Sequence, residues 1–280
     1  MPNRIITKEK LENFKNYLIE EERSHATIEK YMRDIQTFTK YNTHRICTKE
    51  ILLRFKKHLQ KNYAARSINS MLSALNSLFA FLGWNDLKTK FLKVQKTFYC
   101  PEEKELTQSE YKRLCHTALK KNQERLYLIL QTLCATGMRI SELQFITVET
   151  LKRGKAIVDC KGKIRTLWIV DKLKRILLQY AHANRISSGP IFTTRTRKPV
   201  NRSNIWREMK ALCKDARVDP QKVFPHNLRH LFARVYYHLE KDIAKLADIL
   251  GHSNINTTRI YIASSDKEHR KTLENMHLVL

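Results

Sequence analysis

Between Leu11 and Leu82 the apolar residues recur at three- and four-residue steps in four separate runs. That period commits the stretch to short amphipathic helices. The first run is Leu11, Phe14 and Leu18, preceded by Thr7, whose hydroxyl can cap a helix start. Ser24 precedes the second run, Ile28, Tyr31, Ile35 and Phe38, and Thr48 precedes the third, Ile51, Leu52, Phe55 and Leu59. The fourth extends from about Ala64 to Phe81, with Ile68, Leu72, Leu75, Phe79 and Leu82 facing inward. Each such helix has one apolar face to bury, so four of them with brief connections imply a small bundle.

The fourth helix carries an opposite stripe of Arg66, Asn69, Ser73 and Asn76, and the second carries Arg33 with Lys30 and Lys40. These side chains suit phosphates and base edges if a helix enters a DNA major groove. A plainly solvated face is the alternative reading of the same pattern.

After Trp84 the period loosens. Residues 96–106, with Pro101 and a small charge cluster, read as a linker. An N-terminal helical domain is therefore expected over 1–95. Thr107 with Glu110 has the spacing of a capping box and opens a second domain, 107–280. Helices are expected over about 108–120 and 123–135, the second stopped by Gly137 in a left-handed turn. Lys155-Ala156-Ile157-Val158-Asp159 and Ile164 to Ile169 are β-rich and flank Cys160-Lys161-Gly162-Lys163, which predicts a hairpin. Further helices are expected from Asp171 to about Ala183, after Asn201, after Pro225, and up to Gly251, with a short extended piece at Ile191-Phe192. The fold class that follows is mainly α with a small β-hairpin, an α+β chain in two domains.

Charge narrows the partners. Lys+Arg number 53 against 27 Asp+Glu, a formal net charge of +26. So large a surplus repels itself in a compact chain, and a polyanion such as DNA is the expected partner. An anionic membrane surface is the rival, yet no apolar run approaches the ~18 residues of a span. Met1 to Lys8 has no signal-peptide core, so a cytoplasmic location is expected. Cys47, Cys100, Cys115, Cys134, Cys160 and Cys213 are scattered without a Cys-x-x-Cys pair, which points to free thiols and not to a zinc module. A P-loop is absent from the sequence, so an ATP site is not supported.

Candidate chemistry lies in the second domain. Arg139 follows the Gly137 turn directly, where a planar guanidinium is well placed to grip phosphate. Lys161 or Lys163 at the hairpin tip can reach a neighbouring site and donate a proton, and the pattern does not separate the two. His226 and Arg229 share one face of a helix start, where spare backbone N–H groups also favour an anion. His226 and His230, four apart, have zinc-ligand spacing, but position 227 is Asn where a zinc-protease helix needs Glu, so the metal reading is set aside. His252 follows Gly251 at a helix C-terminus, and Tyr261 lies nine residues on, on the next short helix. Any one of the 11 tyrosines, taken alone, reads as packing.

Taken in order, Arg139, Lys161, His226, Arg229, His252 and Tyr261 resemble the tyrosine recombinases, the family of phage integrases, Cre and the Xer proteins. The likeness extends to the surrounding stretches A-T-G-M-R-I-S-E-L, P-H-N-L-R-H-L-F-A and L-G-H-S-N-I-N-T-T-R-I-Y, and the N-terminal region looks like that family's core-binding domain. The resemblance implies a site-specific DNA recombinase. Arg139 and Arg229 would clamp the scissile phosphate, His226 and His252 would hydrogen-bond it, and Lys161 would protonate the leaving 5′-hydroxyl. Tyr261 would be the nucleophile and form a 3′-phosphotyrosyl bond, with Glu142 and His230 as supports. Such a linkage keeps the phosphodiester energy, so no cofactor or metal is expected.

By the same resemblance the partners are double-stranded recombination sites, synapsed by a homotetramer whose C-terminal tails, residues 264–280, dock on neighbouring subunits. An accessory DNA-bending protein or a second recombinase is a further partner class. The hairpin is one residue shorter than the common G-K-G-x-K-x-R form, which keeps Lys163 as the alternative to Lys161. Trp168-Ile169 replaces the usual Val-Pro. The chain begins directly in the core-binding domain, so simple sites read by two domains are expected. A type IB topoisomerase-like enzyme and a catalytically degenerate DNA-binding accessory protein are the competing functions.

Overall fold

The four periodic runs fold as α1 (Lys8–Glu20), α2 (His25–Tyr41), α3 (Lys49–Asn62) and α4 (Ala65–Phe81). The computed structural model describes residues 4–94, 104–159, 164–194, 196, 198–261 and 274–275. It divides into two compact units, Met1–Lys96 and Thr97–Leu280. Thr7 and Thr48 cap as expected, accepting from the backbone N–H of Lys10 and Ile51. Ser24 stands at the N-cap of α2 but pairs with the Thr27 hydroxyl at 2.8 Å instead of a backbone N–H. Phe14, Phe38, Phe55 and Phe79 are all buried, and the rings of Phe38 and Phe55 meet edge-on with centroids 5.1 Å apart. Each buried aromatic or leucine side chain contributes roughly 1.5–3 kcal/mol, so this apolar centre is what holds four short helices together.

The polar stripe of α4 is used differently from the groove-reading expectation. Asn69 donates to Leu92 O at 2.9 Å and accepts from Leu92 N at 2.7 Å. Asn76 does the same with Thr89, both bonds at 2.9 Å. Two carboxamides thus pair with the following chain as a strand would, each committing one N–H and its oxygen to that backbone. Lys49 and Lys56 add donors to the carbonyls of Asp86 and Lys90 at 3.0 and 2.6 Å. Ser73 is half-buried, with its hydroxyl 3.4 Å from that of Tyr31. Arg33 and Arg66 remain exposed.

In the second unit α5 (Gln108–Lys120) starts at the expected capping box of Thr107 and Glu110 and packs against α6 (Glu124–Thr136) and α9 (Arg202–Ala216). After Gly137 the chain makes a 3-10 turn, Ile140–Phe145, and then α7 (Val148–Arg153), a helix not foreseen from the sequence. The hairpin forms: β1 (Lys155–Asp159) pairs antiparallel with β2 (Ile164–Trp168), with Lys155 opposite Trp168 and Asp159 opposite Ile164. Ala156, Val158 and Leu167 point inward. Its tip, with Lys161 and Lys163, lies outside the described residues, as does nearly all of the 264–280 tail.

No strand forms at Ile191-Phe192. Single bridges pair Thr147 with Pro190 and Thr193 with Pro199, and a proline has no N–H with which to extend a ladder. Then follow α8 (Asp171–Ala183), which precedes α9 in the chain and packs against α7, α10 (Pro225–Glu240), α11 (Ile243–Leu250) and α12 (Ile255–Arg259). Tyr261 follows α12 instead of lying on it, its N–H donating to Thr258 O at 2.9 Å. Packing of α10 on α6 and of β2 on α11 brings the three motif stretches together.

Candidate active site

Two glycines set the approach of these stretches. Gly137 ends α6 at φ +61°, and a Cβ there would fall 2.3–2.9 Å from ring atoms of Phe232 on α10. Gly251 ends α11 at φ +63°, and a Cβ would lie 2.5 Å from Cδ of Arg165. Only glycine tolerates both the left-handed backbone and the contact.

Their carbonyl neighbourhoods hold the arginines. Arg229, 1 % exposed, donates from Nη1 to Gly137 O at 2.7 Å and from Nη2 to Leu250 O at 2.6 Å. Its Nη2 also lies 2.9 Å from Nε2 of His252. A guanidinium only donates, so His252 accepts at Nε2 and carries its proton on Nδ1, which faces Thr258 Oγ1 at 2.8 Å. Arg139 keeps its side chain 39 % exposed while its Nη1 meets Glu142 Oε1 at 3.1 Å and its Nη2 reaches Gly251 O at 3.4 Å. Glu142 is fully buried; its Oε2 accepts from the Arg139 backbone N–H at 2.7 Å and from Arg165 Nη2.

Tyr261, 4 % exposed, seats its ring with Ala233, Leu246 and Leu250. Its Oη is 3.1 Å from His226 Nε2. The ring lies 5.3 Å from His252 at an interplanar angle of 20° and 4.1 Å from His230. Burial, with Arg229 and Arg139 alongside, holds His226 below the ordinary imidazole value near 6.5 and His252 down at about 4. Burial and then His226 and Arg229 push His230 to about 3. The imidazoles are therefore neutral at pH 7. Arg229 is lowered by burial and by Arg139 to about 10, and it stays charged.

The structure thus brings Arg139, Glu142, His226, Arg229, His230, His252 and Tyr261 together; Lys161 falls outside the described residues. Two members were not anticipated. Arg165 bridges β2, Glu142 and the end of α11, and only its place two residues after Lys163 hinted at it. Thr258, fully buried, orients His252, with no sequence signal beyond its position between His252 and Tyr261. Arg139, Glu142, Arg165, Gly251, His252 and Ser253 line a cleft of about 1170 Å³. Among the described residues no cluster of His, Cys, Asp or Glu could hold a metal ion, and no helix is long and apolar enough to cross a membrane.

Guanidinium groups beside neutral imidazoles and a phenol form a set that can bind a phosphodiester and stabilise added negative charge on it. Mainly helical architecture with one hairpin and this set together describe a tyrosine-based DNA strand transferase. Residues 104–268 match the phage integrase family, and residues 11–86 match the phage integrase N-terminal SAM-like domain. The chain belongs to the phage integrase family, the tyrosine recombinases, enzymes of site-specific DNA recombination. It is 31% identical to the tyrosine recombinase XerA of Pyrococcus furiosus, over 100% of this chain and 98% of that protein. Identity to the tyrosine recombinase XerD of Halalkalibacterium halodurans is 28%, over 91% of this chain and 92% of that protein. The fold is similar to that of the XerH site-specific recombinase solved with a palindromic difH substrate, with a TM-score of 0.72 at 16% identity over 98% of this chain and 90% of that one.

Proposed function

We propose that Tyr261 attacks a scissile phosphodiester in a duplex recombination site. Its Oη bonds to phosphorus as the bond from phosphorus to the 5′-oxygen breaks, leaving a 3′-phosphotyrosyl strand. His226 Nε2 takes the phenolic proton, and the hairpin lysine, Lys161 or alternatively Lys163, gives one to the departing 5′-oxygen. Arg139 and Arg229 hold the non-bridging oxygens and, with His252, stabilise the pentacoordinate state; Glu142 and His230 support them. The reverse steps with a 5′-hydroxyl from a second site rejoin exchanged strands, and no energy source is consumed. The observation that carries this reading is the 3.1 Å contact from Tyr261 to His226 beside the Arg229–His252 pair.

In this proposal the N-terminal domain, 1–95, contacts the DNA through Arg33, Arg66 and Ser73. Residues 96–106 link it to the catalytic domain, 107–280. A homotetramer assembles on two synapsed sites with tail exchange through 264–280, in the cytoplasm at the nucleoid, with an accessory DNA-bending protein or second recombinase as an added partner. Arg229 and Tyr261 are both buried, so the segment carrying Tyr261 must shift for the two to share one phosphate.

The test is covalent trapping. Wild-type protein incubated with sheared DNA of its source genome should give denaturant-resistant adducts, whose mapping yields the site for a nicked suicide duplex. On that duplex Tyr261→Phe should give none, and binding should weaken steeply with salt. An adduct formed by the Phe variant would remove Tyr261 as nucleophile, and relaxation of one duplex without strand exchange would indicate a topoisomerase.

A further inference from the structure

Of the two arginines that line the cleft, Arg139 and Arg165, the proposed chemistry leaves Arg165 without a task. Its side chain is 8 % exposed, and its guanidinium joins two elements: Nη2 donates to Glu142 Oε2 and Nη1 to Ile249 O, in the last turn of α11. Its Cδ rests against Gly251, the residue before His252. In the hairpin it pairs with Val158, whose side chain packs into the core. One residue therefore ties the hairpin, the Arg139–Glu142 stretch and the His252 turn to each other.

Charge explains why the tie matters. A fully buried carboxylate needs cationic partners. Among the described residues Glu142 has two: Arg165 at Oε2, and Arg139 at Oε1 with 3.1 Å and a side chain still 39 % exposed. If Arg165 were removed, Glu142 would have Arg139 as its remaining cation within salt-bridge distance, and that guanidinium would be drawn inward and neutralised. Arg165 also holds its place at a cost. Its Nε and that of Arg229 are the two buried side-chain nitrogens without a hydrogen-bond partner among the described residues. Buried unmet donors are uncommon and disfavour folding. A position that keeps one is better explained by the site than by stability.

We propose that Arg165 is a positioning residue for strand cleavage: by balancing Glu142 and bracing the Gly251 turn, it leaves the charge of Arg139 free for the scissile phosphate. The inference rests on the phosphate-handling roles proposed above. It separates Arg165 from a phosphate ligand, because a ligand's loss is not relieved by removing Glu142.

The experiment measures single-turnover adduct formation on the nicked suicide duplex for wild type, Arg165→Met, Arg165→Lys and the double variant Arg165→Met/Glu142→Gln. Noncovalent binding is measured for each substitution in the Tyr261→Phe background. Arg165→Met should slow cleavage on the order of 100-fold, the size expected when one preorganised cation is lost, with binding changed by less than about 3-fold. Arg165→Lys keeps the charge but does not span Glu142 and Ile249, and should slow it about 10-fold. The double variant should cleave at least about 10-fold faster than Arg165→Met, since the unbalanced carboxylate is gone. A purely structural role predicts a double variant as slow as or slower than the single, and that result overturns the proposal, as does Arg165→Met cleaving within about 3-fold of wild type. If Arg165→Met fails to fold, the double variant is judged against wild type: cleavage within about 10-fold supports the proposal and a larger loss overturns it. Absence of any wild-type adduct would instead refute the assignment of Tyr261.

Discussion

Arg229 holds the second unit together as well as facing the chemistry, and the conservative change Arg229→Lys separates these roles. The guanidinium donates to two carbonyls from different elements, Gly137 O at 2.7 Å and Leu250 O at 2.6 Å, and to His252. An ammonium on a shorter stem reaches one of them at most. Hydrogen bonds from charged groups contribute about 1.5–3 kcal/mol each, so losing two costs roughly 3–6 kcal/mol. The variant also deletes Nε–H, a buried donor with no partner, which returns roughly 1–2 kcal/mol. The net expectation is a loss of about 2–4 kcal/mol. For a domain of 150–250 residues this lowers the melting temperature by roughly 4–16 °C. Differential scanning calorimetry without DNA reads the effect directly, and the suicide duplex should report cleavage lost although the formal charge is retained. A lysine variant melting within about 1 °C of wild type would refute the claim that Arg229 fastens α6, α10 and α11.

Two further perturbations follow from the same geometry. Gly137→Ala forces an L-residue to φ +61° and sets a methyl against the Phe232 ring; a combined cost of about 2–5 kcal/mol is expected from backbone strain and overpacking, read by urea denaturation. Asn76→Ala removes both bonds to Thr89 and should destabilise the first unit by about 1–2 kcal/mol, while a DNA-binding assay at permissive temperature should change little, because the carboxamide faces its own chain. A selective loss of sequence preference in that variant would return Asn76 to the groove-reading set.

Much of the fold was legible because it rests on local rules. The apolar period from Leu11 to Leu82, the capping box at Thr107 and the glycines at 137 and 251 each act within one turn of the chain. What escaped notice depends on contacts distant in sequence. Asn69 and Asn76 carry the residue types of a groove reader, and only the course of residues 88–94 across α4 shows their amides engaged. Arg165 lies 23 residues from Glu142, and no spacing predicts that a strand residue should balance it. The Ile191-Phe192 run is short and apolar, as an extended piece would be, but with Pro190 before it only single bridges form beside it, Thr147 with Pro190 and Thr193 with Pro199. The candidate catalytic set was legible as ordered motifs; the tyrosine stood out among 11 only in that company, since the phenol's burial with Ala233, Leu246 and Leu250 is what a core tyrosine also shows.

The neutral imidazoles give the chemistry a pH signature. His226 must accept the phenolic proton, so it has to enter the reaction uncharged. Burial, then Arg229 and Arg139, hold its folded value below the ordinary 6.5, and His252 sits at about 4 for the same reasons. A depressed value means the neutral form persists from high pH down through 6.5 and is lost only as pH falls further. A bound phosphate would raise both values by supplying negative charge, so the measurement must report the free enzyme. Cleavage at subsaturating duplex does that, as the second-order rate constant follows the ionisations of the unliganded protein. Its profile should be flat from pH 7 to 8 and bend downward only below about 6.5, with the bend absent from a slower His226→Gln variant. Protein stability should erode over the same acid range, since unfolding releases His226, His230 and His252 to take up protons that the folded site refuses. A bend centred above pH 7 in the wild type would mean that a group other than His226 takes the proton from Tyr261.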